Sequence, residues 1–524
     1  MAFEGLLRPW SNERVLYRDS LCAAVDKPAG VPCSRRRDPA GDGFHLAERL
    51  KLHGWEAVEV SWPVPERASG VTLLEPATAL GEPSNGGEIG IAFEAAYVVA
   101  VANWGLPERG HLRAGEGSTA VPLRYAVLRR RGAKALVELR GAASPPLVLG
   151  ALRGARQNVV GDALDAPDAA TRLMLHVSEW SGHIQAKAPL PIEFESWFAG
   201  EAAALPEHFE ARLADAALLR FGLWPHAEAF RLSGEDAGEI AGVTLDRYGD
   251  YAVLSLSSEE AWARRDRMAE CLMDLGARGV YVKRRVRADL RRQEPAALWP
   301  PTPLRGDPAP AELSIRNGSL GFWVRLSDGA STGLFLDQRA NWARVKAACH
   351  GADLLNLFCY TGAFSVAAAV GGATSSTSVD LSRRALSNAR LNLELNGLAG
   401  PAHRLLKADA LDWLARAQRA ERRFDWIVLD PPSFGTRARG VLDAERDYAG
   451  MVKGAAALLR PGGHLLAVSH HRKLGQGELM HGVERACRES GRRVRVLPSV
   501  GSWDCPTLPG VGGVKSVIAS FDES

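Results

Sequence analysis

Residues 354–364 read Leu-Leu-Asn-Leu-Phe-Cys-Tyr-Thr-Gly-Ala-Phe, an apolar run that passes into a turn of small residues. The apolar run at 354–358 predicts a buried strand. Thr361 and Gly362 follow it, and residues this small let the backbone approach a ligand closely before a helix begins. The stretch therefore predicts a strand, a ligand-binding turn and the start of a helix.

Four more short runs are strand candidates after this stretch, and segments of helical length separate them. They lie at residues 376–379, 403–406, 426–429 and 464–469. Strands that alternate with helices indicate βαβ units, so we expect an α/β fold with a doubly wound, Rossmann-like parallel sheet. In such a sheet, ligands bind beyond the carboxyl ends of the strands.

Acidic residues stand at the ends of three of these runs. Asp380 would accept both hydroxyls of a ribose, and Asp409 would accept the amino group of an adenine. Asp430 precedes Pro431 and Pro432, which remove two amide donors and stiffen the backbone, so that carbonyl groups can point into a site. Taken singly, each feature is also typical of a helix cap, a turn or a stiff loop. Together with the small-residue turn, their order at consecutive strand ends favours a binding site.

The same part of the chain resembles a known family. The matching stretches are 333–339 (GLFLDQR), 356–364, 379–382 (VDLS), 389–396 and 424–434. Together they are similar to S-adenosylmethionine-dependent methyltransferases with a Rossmann-like fold, specifically the family that methylates bases of large-subunit ribosomal RNA. The resemblance implies an enzyme that uses S-adenosylmethionine and has RNA as its partner.

The resemblance also implies roles for individual residues. Residues 358–362 would cradle the methionine end of the cofactor, Asp380 would hold its ribose, and Asp409 would hold its adenine. Residues 430–434 would face both the methyl group and the target base, and proximity and orientation would supply most of the catalysis. The residues predicted to bind the cofactor are Gln338, Asn356, Phe358, Tyr360, Thr361, Gly362, Asp380, Asp409 and Asp430, and the predicted catalytic set is Asp430, Pro431, Pro432 and Ser433.

The residues after the Pro-Gly-Gly turn at 461–463 bear on which atom is methylated. Cytosine C5 is not nucleophilic, so its methylation requires a cysteine thiolate to add to the ring first. In the family that cysteine follows this turn, whereas residues 468–473 here read VSHHRK. Cys359 lies in the cofactor loop and Cys487 in a late helical pattern, so neither fits, and Cys505 near the chain end is a remote candidate.

Guanine N7 is the acceptor that we favour over cytosine C5. Its lone pair is exposed and needs no proton acceptor, so positioning and exclusion of water suffice. Residues 469–473 (SHHRK) are similar to the Ser-Asn-Asn-Lys-Arg pattern of the guanine-N7 branch of the family. His470 and His471 would orient the base, although a histidine pair at a strand end is also typical of solvated or hydrogen-bonded side chains.

The N-terminal region resembles a second family. Residues 15–19 (VLYRD) and 25–32 (VDKPAGVP) are similar to the opening of an RNA pseudouridine synthase domain, and weaker matches lie at 124–127, 161–162 and 172–176. This resemblance implies a mainly β, α+β domain.

The active segment of the synthase family is altered in this chain. Its nucleophilic aspartate falls on Pro65, which has no group for that work, and Glu66 stands beside it. Residues 141–150 replace a later Gly-Arg-x-His-Gln-Ile-Arg segment, and Tyr125 matches the active-site tyrosine. We therefore expect an inactive domain that is retained for RNA binding or packing. The alternatives are a working synthase that uses Glu66 and an unrelated β-rich domain.

The central region adds to the methyltransferase resemblance. Residues 229–232 and 242–250 look like the small α/β domain that precedes the catalytic domain in that family. A basic cluster from Lys283 to Arg292 is interpreted either as contacts to RNA phosphates or as a solvated helix face. The predicted organisation is a synthase-like domain at 1–200, a small α/β RNA-binding or linker domain at 205–330 and a methyltransferase domain at 331–524.

Composition excludes several classes of protein. The chain has 524 residues, with 64 Lys and Arg against 61 Asp and Glu, which excludes a uniformly basic DNA-packaging protein but not a locally basic RNA-binding face. Seven scattered cysteines favour neither a disulfide framework nor a zinc site. The uncharged stretch at 354–379 is too rich in Gly, Ser and Thr for a membrane helix.

The N-terminus lacks the pattern of a signal peptide, so we expect a cytoplasmic protein. We expect this enzyme to act on RNA and to involve neither a membrane nor a metal ion. Two alternatives stay open. One is a small-molecule methyltransferase whose N-terminal half serves as a lid or oligomerisation domain. The other is a non-catalytic RNA-binding or ribosome-assembly protein.

Overall fold

The structure is a computed structural model. It describes residues 14–19, 22–27, 31, 33, 46–47, 50, 58–65, 68–76, 93–115, 117, 120–162, 173–199, 209–220, 223, 226–235, 239–286, 294–432, 434–436, 441–471, 474–489, 491, 493–499, 501–502, 504–505 and 513–522. The chain divides into two compact units. One holds Phe3–Trp224 with Gly238–Ala241, and the other holds Pro225–Ala237 with Gly242–Ser524.

The first unit is built on a ten-stranded sheet. Its elements are β1 (Val15–Arg18), β2 (Ala23–Lys27), β3 (Val58–Trp62), β4 (Ser69–Pro76), β5 (Glu94–Val101), β6 (Arg109–Ala114), β7 (Val121–Arg131), β8 (Lys134–Gly141), α1 (Pro145–Gly154), β9 (Leu175–Ser181), β10 (Gln185–Lys187), α2 (Ile192–Ala199) and α3 (Phe209–Leu219). The strand order is β1-β2-β4-β9-β5-β8-β7-β6, with β10 beside β9 and β3 beside β4. The described part of this unit is thus mainly β with helices added, as the sequence predicts.

The strand β5 shows why this sheet lies inside its unit. Seven of its eight residues are buried. Tyr97 and Val99 pack into one apolar cluster and Val98 and Ala100 into another, because successive side chains of a strand point to opposite faces. An uninterrupted apolar run therefore forms a strand that is covered on both faces.

The second unit begins with a five-stranded sheet in the order β11-β12-β13-β14-β15. Its elements are β11 (Ala229–Ser233), β12 (Val243–Tyr248), β13 (Tyr251–Leu256), α4 (Glu259–Ala263), α5 (Arg265–Asp274), β14 (Gly279–Arg284), α6 (Pro295–Leu298) and β15 (Arg305–Gly306), and the hairpin β16 (Leu313–Asn317) and β17 (Leu320–Val324) follows. Tyr248 and Tyr281 of this sheet belong to the same apolar cluster as Leu334 and Trp342 further along the chain.

The rest of the unit forms a seven-stranded sheet in the order β20-β19-β18-β21-β24-β26-β25. After a 3₁₀ turn (Leu336–Gln338), its elements are α7 (Arg339–Ala348), β18 (Asp353–Leu357), α8 (Ala363–Val370), β19 (Ser375–Asp380), α9 (Arg383–Leu395), β20 (His403–Lys407), α10 (Ala410–Arg419), β21 (Phe424–Leu429), β22 (Phe434–Thr436), β23 (Val441–Asp443), α11 (Ala444–Ala456), β24 (Leu459–Ser469), α12 (Gln476–Arg488), β25 (Val494–Ser499) and β26 (Lys515–Phe521). The first five strands of this order pair in parallel, and β26 pairs antiparallel with β24 and β25.

Helices cover both faces of this sheet. Leu354 and Val428 face one apolar cluster, whereas Leu355 and Ile427 face the other. The five predicted strands are thus confirmed as parallel strands of a doubly wound sheet. The reversal of strand order falls between β18 and β21, which is where such sheets bind ligands.

The first residues of the predicted basic cluster do not lie on a solvated helix face. Lys283 and Arg284 are on strand β14, and the Lys283 side chain is buried. Arg284 donates to Glu259, and Arg285 donates to the Ala330 carbonyl. For these residues the helix-face interpretation is wrong, and residues 287–293 of the cluster lie outside the described residues.

Two other expectations from the sequence concern the domain boundaries and membrane helices. The domain boundaries at 200, 205 and 330 stay predictions. Within the described residues, every helix is too short or too polar to cross a lipid bilayer.

Candidate active site

A cavity of about 480 Å³ opens at the carboxyl ends of the parallel strands. This volume is within the usual range for small-molecule sites. Three carboxylates and five aromatic rings line its wall, together with Pro432, His470 and several apolar side chains. The carboxylates are Asp380, Asp409 and Asp430, and the rings are Phe335, Trp342, Phe358, Tyr360 and Phe364.

The turn between β18 and α8 has an unusual backbone. Phe358 and Tyr360 have φ values of 57° and 46°, which side chains other than glycine rarely adopt. Neighbouring groups hold the turn in this shape. The Tyr360 amide donates to Asp380 Oδ2 at 2.9 Å, the Thr361 hydroxyl donates to the Gly333 carbonyl at 2.7 Å, and Asn392 Nδ2 donates to the Thr361 carbonyl at 2.8 Å.

The sequence predicts that Gly362 is small so that the backbone can approach a ligand, but the structure gives another reason. Its φ is 77°, and a Cβ there would lie 2.9 Å from the Cβ of Ala389 on α9. Gly362 is not among the cavity-lining residues. The glycine therefore permits the close approach of a helix, and its neighbours Tyr360 and Thr361 face the cavity instead.

Asp380 ties the turn to the next strand. Its two carboxylate oxygens accept from the amides of Tyr360 and Ser382 at 2.9 and 2.8 Å. Each carboxylate oxygen has a second lone pair, so the side chain can still accept hydroxyl groups from the cavity.

Asp409 combines both interpretations that the sequence left open. Its Oδ1 accepts from the amides of Leu411 and Asp412 at 3.0 and 3.3 Å, which caps helix α10. The same side chain also lines the cavity. The residue is thus a helix cap positioned at a binding surface.

Asp430 lies at the centre of a hydrogen-bonded group at the end of β21. His470 Nε2 lies 2.7 Å from Asp430 Oδ1, and Gln338 Nε2 lies 3.5 Å from Asp430 Oδ2. Asn341 Nδ2 in turn donates to Gln338 Oε1 at 2.7 Å. Burial alone would lower the pKa of His470, but the hydrogen bond and the charge of Asp430 outweigh it and raise that pKa above its ordinary value.

The predicted site residues divide into three groups. Those that line the cavity are Phe358, Tyr360, Thr361, Asp380, Asp409, Asp430 and Pro432. Gln338, Asn356, Gly362 and Pro431 are not among the lining residues, and Ser433 lies outside the described residues. Asn356 is fully buried and donates to Ser365 Oγ at 2.9 Å, so it supports the turn from beneath.

Sequence reasoning missed three of the five rings that line the cavity, Phe335, Trp342 and Phe364. Trp342 and Phe364 lie on α7 and α8, where their spacing is also typical of core residues. Phe335 was quoted within the motif at 333–339 but was given no role. It stands between Leu334 and Leu336, and the sequence alone does not show which of three consecutive apolar residues stays outside the core.

The cysteines do not supply a thiolate to the cavity. Of the seven, Cys359 lines it, and burial raises the pKa of its thiol well above the ordinary value. Burial also raises the pKa of Cys505 well above that value. Cys487 is buried on α12. A protonated, buried thiol is a poor nucleophile.

The comparisons with known proteins agree with this geometry. Residues 272–511 match a family model described as S-adenosylmethionine-dependent methyltransferase. This part of the chain is such a methyltransferase. The protein is therefore an enzyme, and its cofactor is S-adenosylmethionine.

Solved structures show the same fold. SMU.776, a protein provisionally described as a methyltransferase and crystallised with SAH, is 26% identical with a TM-score of 0.53, and the match covers 65% of this chain and 85% of that one. A provisionally described SAM-dependent methyltransferase from Streptococcus mutans is 25% identical with a TM-score of 0.52, over the same shares.

The cavity residues fit this cofactor. S-adenosylmethionine carries a sulfonium and an ammonium group, and cations are stabilised by carboxylates and by the faces of aromatic rings. The cavity presents both kinds of group, as the three carboxylates and five rings of its wall. Among the described residues there is no cluster of His, Cys, Asp and Glu that could hold a metal ion.

Proposed function

We propose that this protein transfers a methyl group from S-adenosylmethionine to a base of RNA, that the RNA is large-subunit ribosomal RNA, and that guanine N7 is favoured over cytosine C5. The observation that carries the proposal is the pair of Asp430 and His470 at the cavity wall, where a C5 enzyme would need a thiolate. Cys359, the cysteine that lines the cavity, is buried and protonated.

The cofactor-binding roles rest on the positions of the strand ends. Asp380 holds the ribose hydroxyls, Asp409 lies beside the adenine, and the turn of Phe358, Tyr360 and Thr361 surrounds the methionine end. When bound, the cofactor supplies an electrophilic methyl group on its sulfonium. Asp430 and Pro432 then form the side of the cavity that the acceptor enters.

The chemistry of His470 supports guanine as the acceptor. The raised pKa of His470 favours its protonated form, in which both ring nitrogens donate. Nε2 is bonded to Asp430, and among the described residues no side chain or carbonyl accepts from Nδ1. The N7 edge of guanine presents only acceptors, N7 and O6, whereas the same edge of adenine presents an amino donor beside N7. A donor at Nδ1 therefore complements the guanine O6 while N7 receives the methyl group.

For the first unit we propose an inactive synthase-like module that binds RNA or packs. Tyr125, which matches the synthase tyrosine, is buried with its ring centroid 5.2 Å from that of Trp104. Pro65 stands at the nucleophile position, and Glu66, the alternative nucleophile, lies outside the described residues.

The test is a methyl-transfer assay with the full chain. Purified protein is incubated with methyl-labelled S-adenosylmethionine and unmodified large-subunit ribosomal RNA, and the RNA is digested to nucleosides that are identified by mass. We expect labelled 7-methylguanosine. Labelled 5-methylcytidine would contradict the argument from the missing thiolate.

The alternatives give other outcomes in the same assay. No label in RNA despite cofactor binding would favour a small-molecule acceptor or a binding protein. RNA-dependent stimulation of cofactor turnover, with a steep dependence on salt, would count against the small-molecule enzyme.

A further inference from the structure

One aromatic ring in the cavity wall is left largely uncovered by the fold. Phe335 is 45% exposed, although its neighbours Leu334 and Leu336 are 4% and 2% exposed. The other strongly exposed large apolar residues of the described chain are Leu128, Leu147, Leu395 and Leu497. None of these is aromatic, and none lines the cavity.

The backbone around Phe335 is held from both sides. The carbonyl of Gly333 accepts from the Thr361 hydroxyl at 2.7 Å, and the carbonyl of Phe335 accepts from the Gln338 amide at 3.1 Å. The buried leucines on either side anchor the same segment in the core. The segment that carries the ring is therefore fixed on both sides of Phe335.

The neighbours of the ring place it beside the reacting groups. Its centroid lies 5.3 Å from that of Tyr360 and 6.3 Å from that of His470, with interplanar angles of 45° and 46°. Neither ring is stacked flat on Phe335, and 45% of the residue stays exposed. His470 is the partner of Asp430, which connects Phe335 to the end of the cavity that faces the acceptor.

We propose that Phe335 is the surface on which the nucleobase stacks when it receives the methyl group. The acceptor is then an unstacked base, taken from a single-stranded segment or flipped out of a helix. Stacking on an aromatic side chain is a general way to hold such a base, and it offsets the loss of stacking within the RNA. This inference rests on the proposed function, because it requires an RNA base as acceptor.

The exposure of Phe335 has a simple explanation under this proposal. A ring held open to water is normally unfavourable, since apolar surface is stabilised by burial. A bound base would cover the ring and remove it from water. The bare ring thus marks a contact that only the acceptor completes.

The first arm of the test is kinetic. Phe335→Ala, Phe335→Leu and Phe335→Trp are compared with the wild-type protein in methyl transfer to unmodified ribosomal RNA, and the Kd for S-adenosylmethionine is measured by calorimetry. We expect Phe335→Ala to lower kcat/KM for RNA roughly 5- to 150-fold, the range that one lost base–aromatic stack represents. The Kd for the cofactor should stay unchanged, Phe335→Trp should restore transfer, and Phe335→Leu should fall between.

Leu497→Ala is the matched control. Leu497 is 47% exposed on β25, and it is not a lining residue. This variant removes a similar exposed apolar side chain, so it should transfer methyl groups at the wild-type rate. A higher cofactor Kd for Phe335→Ala, with RNA kinetics unchanged at saturating S-adenosylmethionine, would overturn the proposal and make Phe335 part of the cofactor site.

The second arm measures stacking without transfer. Single-stranded RNA decamers that carry one 2-aminopurine are titrated with protein in the presence of S-adenosylhomocysteine. Stacking on Phe335 should quench the fluorescence with the wild-type protein and with Phe335→Trp, but not with Phe335→Ala. Equal quenching by all variants, or none by the wild-type protein, would overturn the proposal. If the wild-type protein quenches but transfers no methyl group to RNA, the proposed function has failed and the stacking surface stands.

Discussion

The two units each contain a buried lysine, and the two lysines are treated in opposite ways. In the first unit, Lys27 on β2 is fully buried, and its Nζ donates to the carbonyls of Val31 and Ala68 at 2.9 and 2.8 Å. In the second unit, Lys283 on β14 is 3% exposed, and its Nζ has no hydrogen-bond partner among the described residues. Burial and the nearby charge of Arg285 lower the pKa of Lys283 to about 8. One ammonium group is thus satisfied by the fold and the other is not.

The same contrast holds for the groups that could do chemistry. In the first unit, Ser69 and His176 are buried and bond to each other at 2.9 Å, and His176 Nε2 lies 3.3 Å from the Ala188 carbonyl. In the second unit, Asp430 and His470 line an open cavity. A Ser–His pair whose polar atoms are all used by the fold is structural, whereas the Asp–His pair can meet a substrate. Residue type alone does not separate the two cases.

The largest effect that we expect comes from Asp430→Asn. This change keeps the shape of the side chain but removes the charge that orients His470, so kcat/KM for methyl transfer should fall at least about 100-fold. Tyr125→Phe in the first unit should leave the rate unchanged. Asp412→Asn, which alters an exposed carboxylate on α10, is the control for charge. A low rate for Tyr125→Phe would show that the first unit takes part in the reaction.

Lys283→Met should stabilise the protein. The pKa of Lys283 is about 8 in the folded state against an ordinary value of 10.5, so protonation opposes folding at neutral pH. This protonation lowers the free energy of unfolding below pH 8, and the effect disappears as the pH rises towards 10.5. Removing the charge should therefore raise the free energy of unfolding by about 3 kcal/mol at pH 7. Denaturant unfolding of the variant and the wild-type protein at pH 7 and at pH 10 measures this difference in stability. A variant that is less stable than the wild-type protein at pH 7 would show that the ammonium group has a partner that favours its charge.

Lys27→Met should lower the free energy of unfolding, the opposite of the effect expected for Lys283→Met. It leaves two carbonyls without their donor inside the first unit, which costs about 1–3 kcal/mol for each buried group left unsatisfied. Unfolding should be followed with a probe for each unit, because the two units need not unfold together. Lys187→Met, at a lysine whose side chain is 75% exposed, is the control. Equal stability of Lys27→Met and the wild-type protein would remove the contrast between the two lysines.

The smallest effect that we expect is on the pH dependence of transfer. The folded pKa of His470 is raised above its unfolded value of about 6.5, so His470 is fully protonated below that value and its ion pair with Asp430 is lost as the pH rises through the folded pKa. The methyl-transfer rate should therefore decline on the alkaline side, by about tenfold or less. His470→Gln should abolish this decline in a pH–rate profile. An unchanged profile would assign the decline to another group.

The sheet could be predicted because its central strands are buried on both faces. The runs at 354–358, 426–429 and 464–469 are mostly apolar, and this pattern indicates burial. The polar residues at strand ends could be predicted as well, because a parallel sheet brings those ends together. Asp380, Asp409 and Asp430 all line the cavity.

Other features depend on contacts between distant parts of the chain. The reason for Gly362 is the approach of Ala389, and the exposure of Phe335 depends on which of three neighbouring apolar residues the core accepts. Local patterns do not carry this information.

The hydrogen bond from Thr361 to the Gly333 carbonyl joins the turn at the cavity wall to the segment that carries Phe335. A ligand that orders the turn therefore also restricts the segment of Gly333 and Phe335, and the reverse holds as well. We therefore expect the two substrates to bind with positive cooperativity. Because such coupling is reciprocal, S-adenosylmethionine should tighten RNA binding by the same factor by which RNA tightens the binding of S-adenosylmethionine.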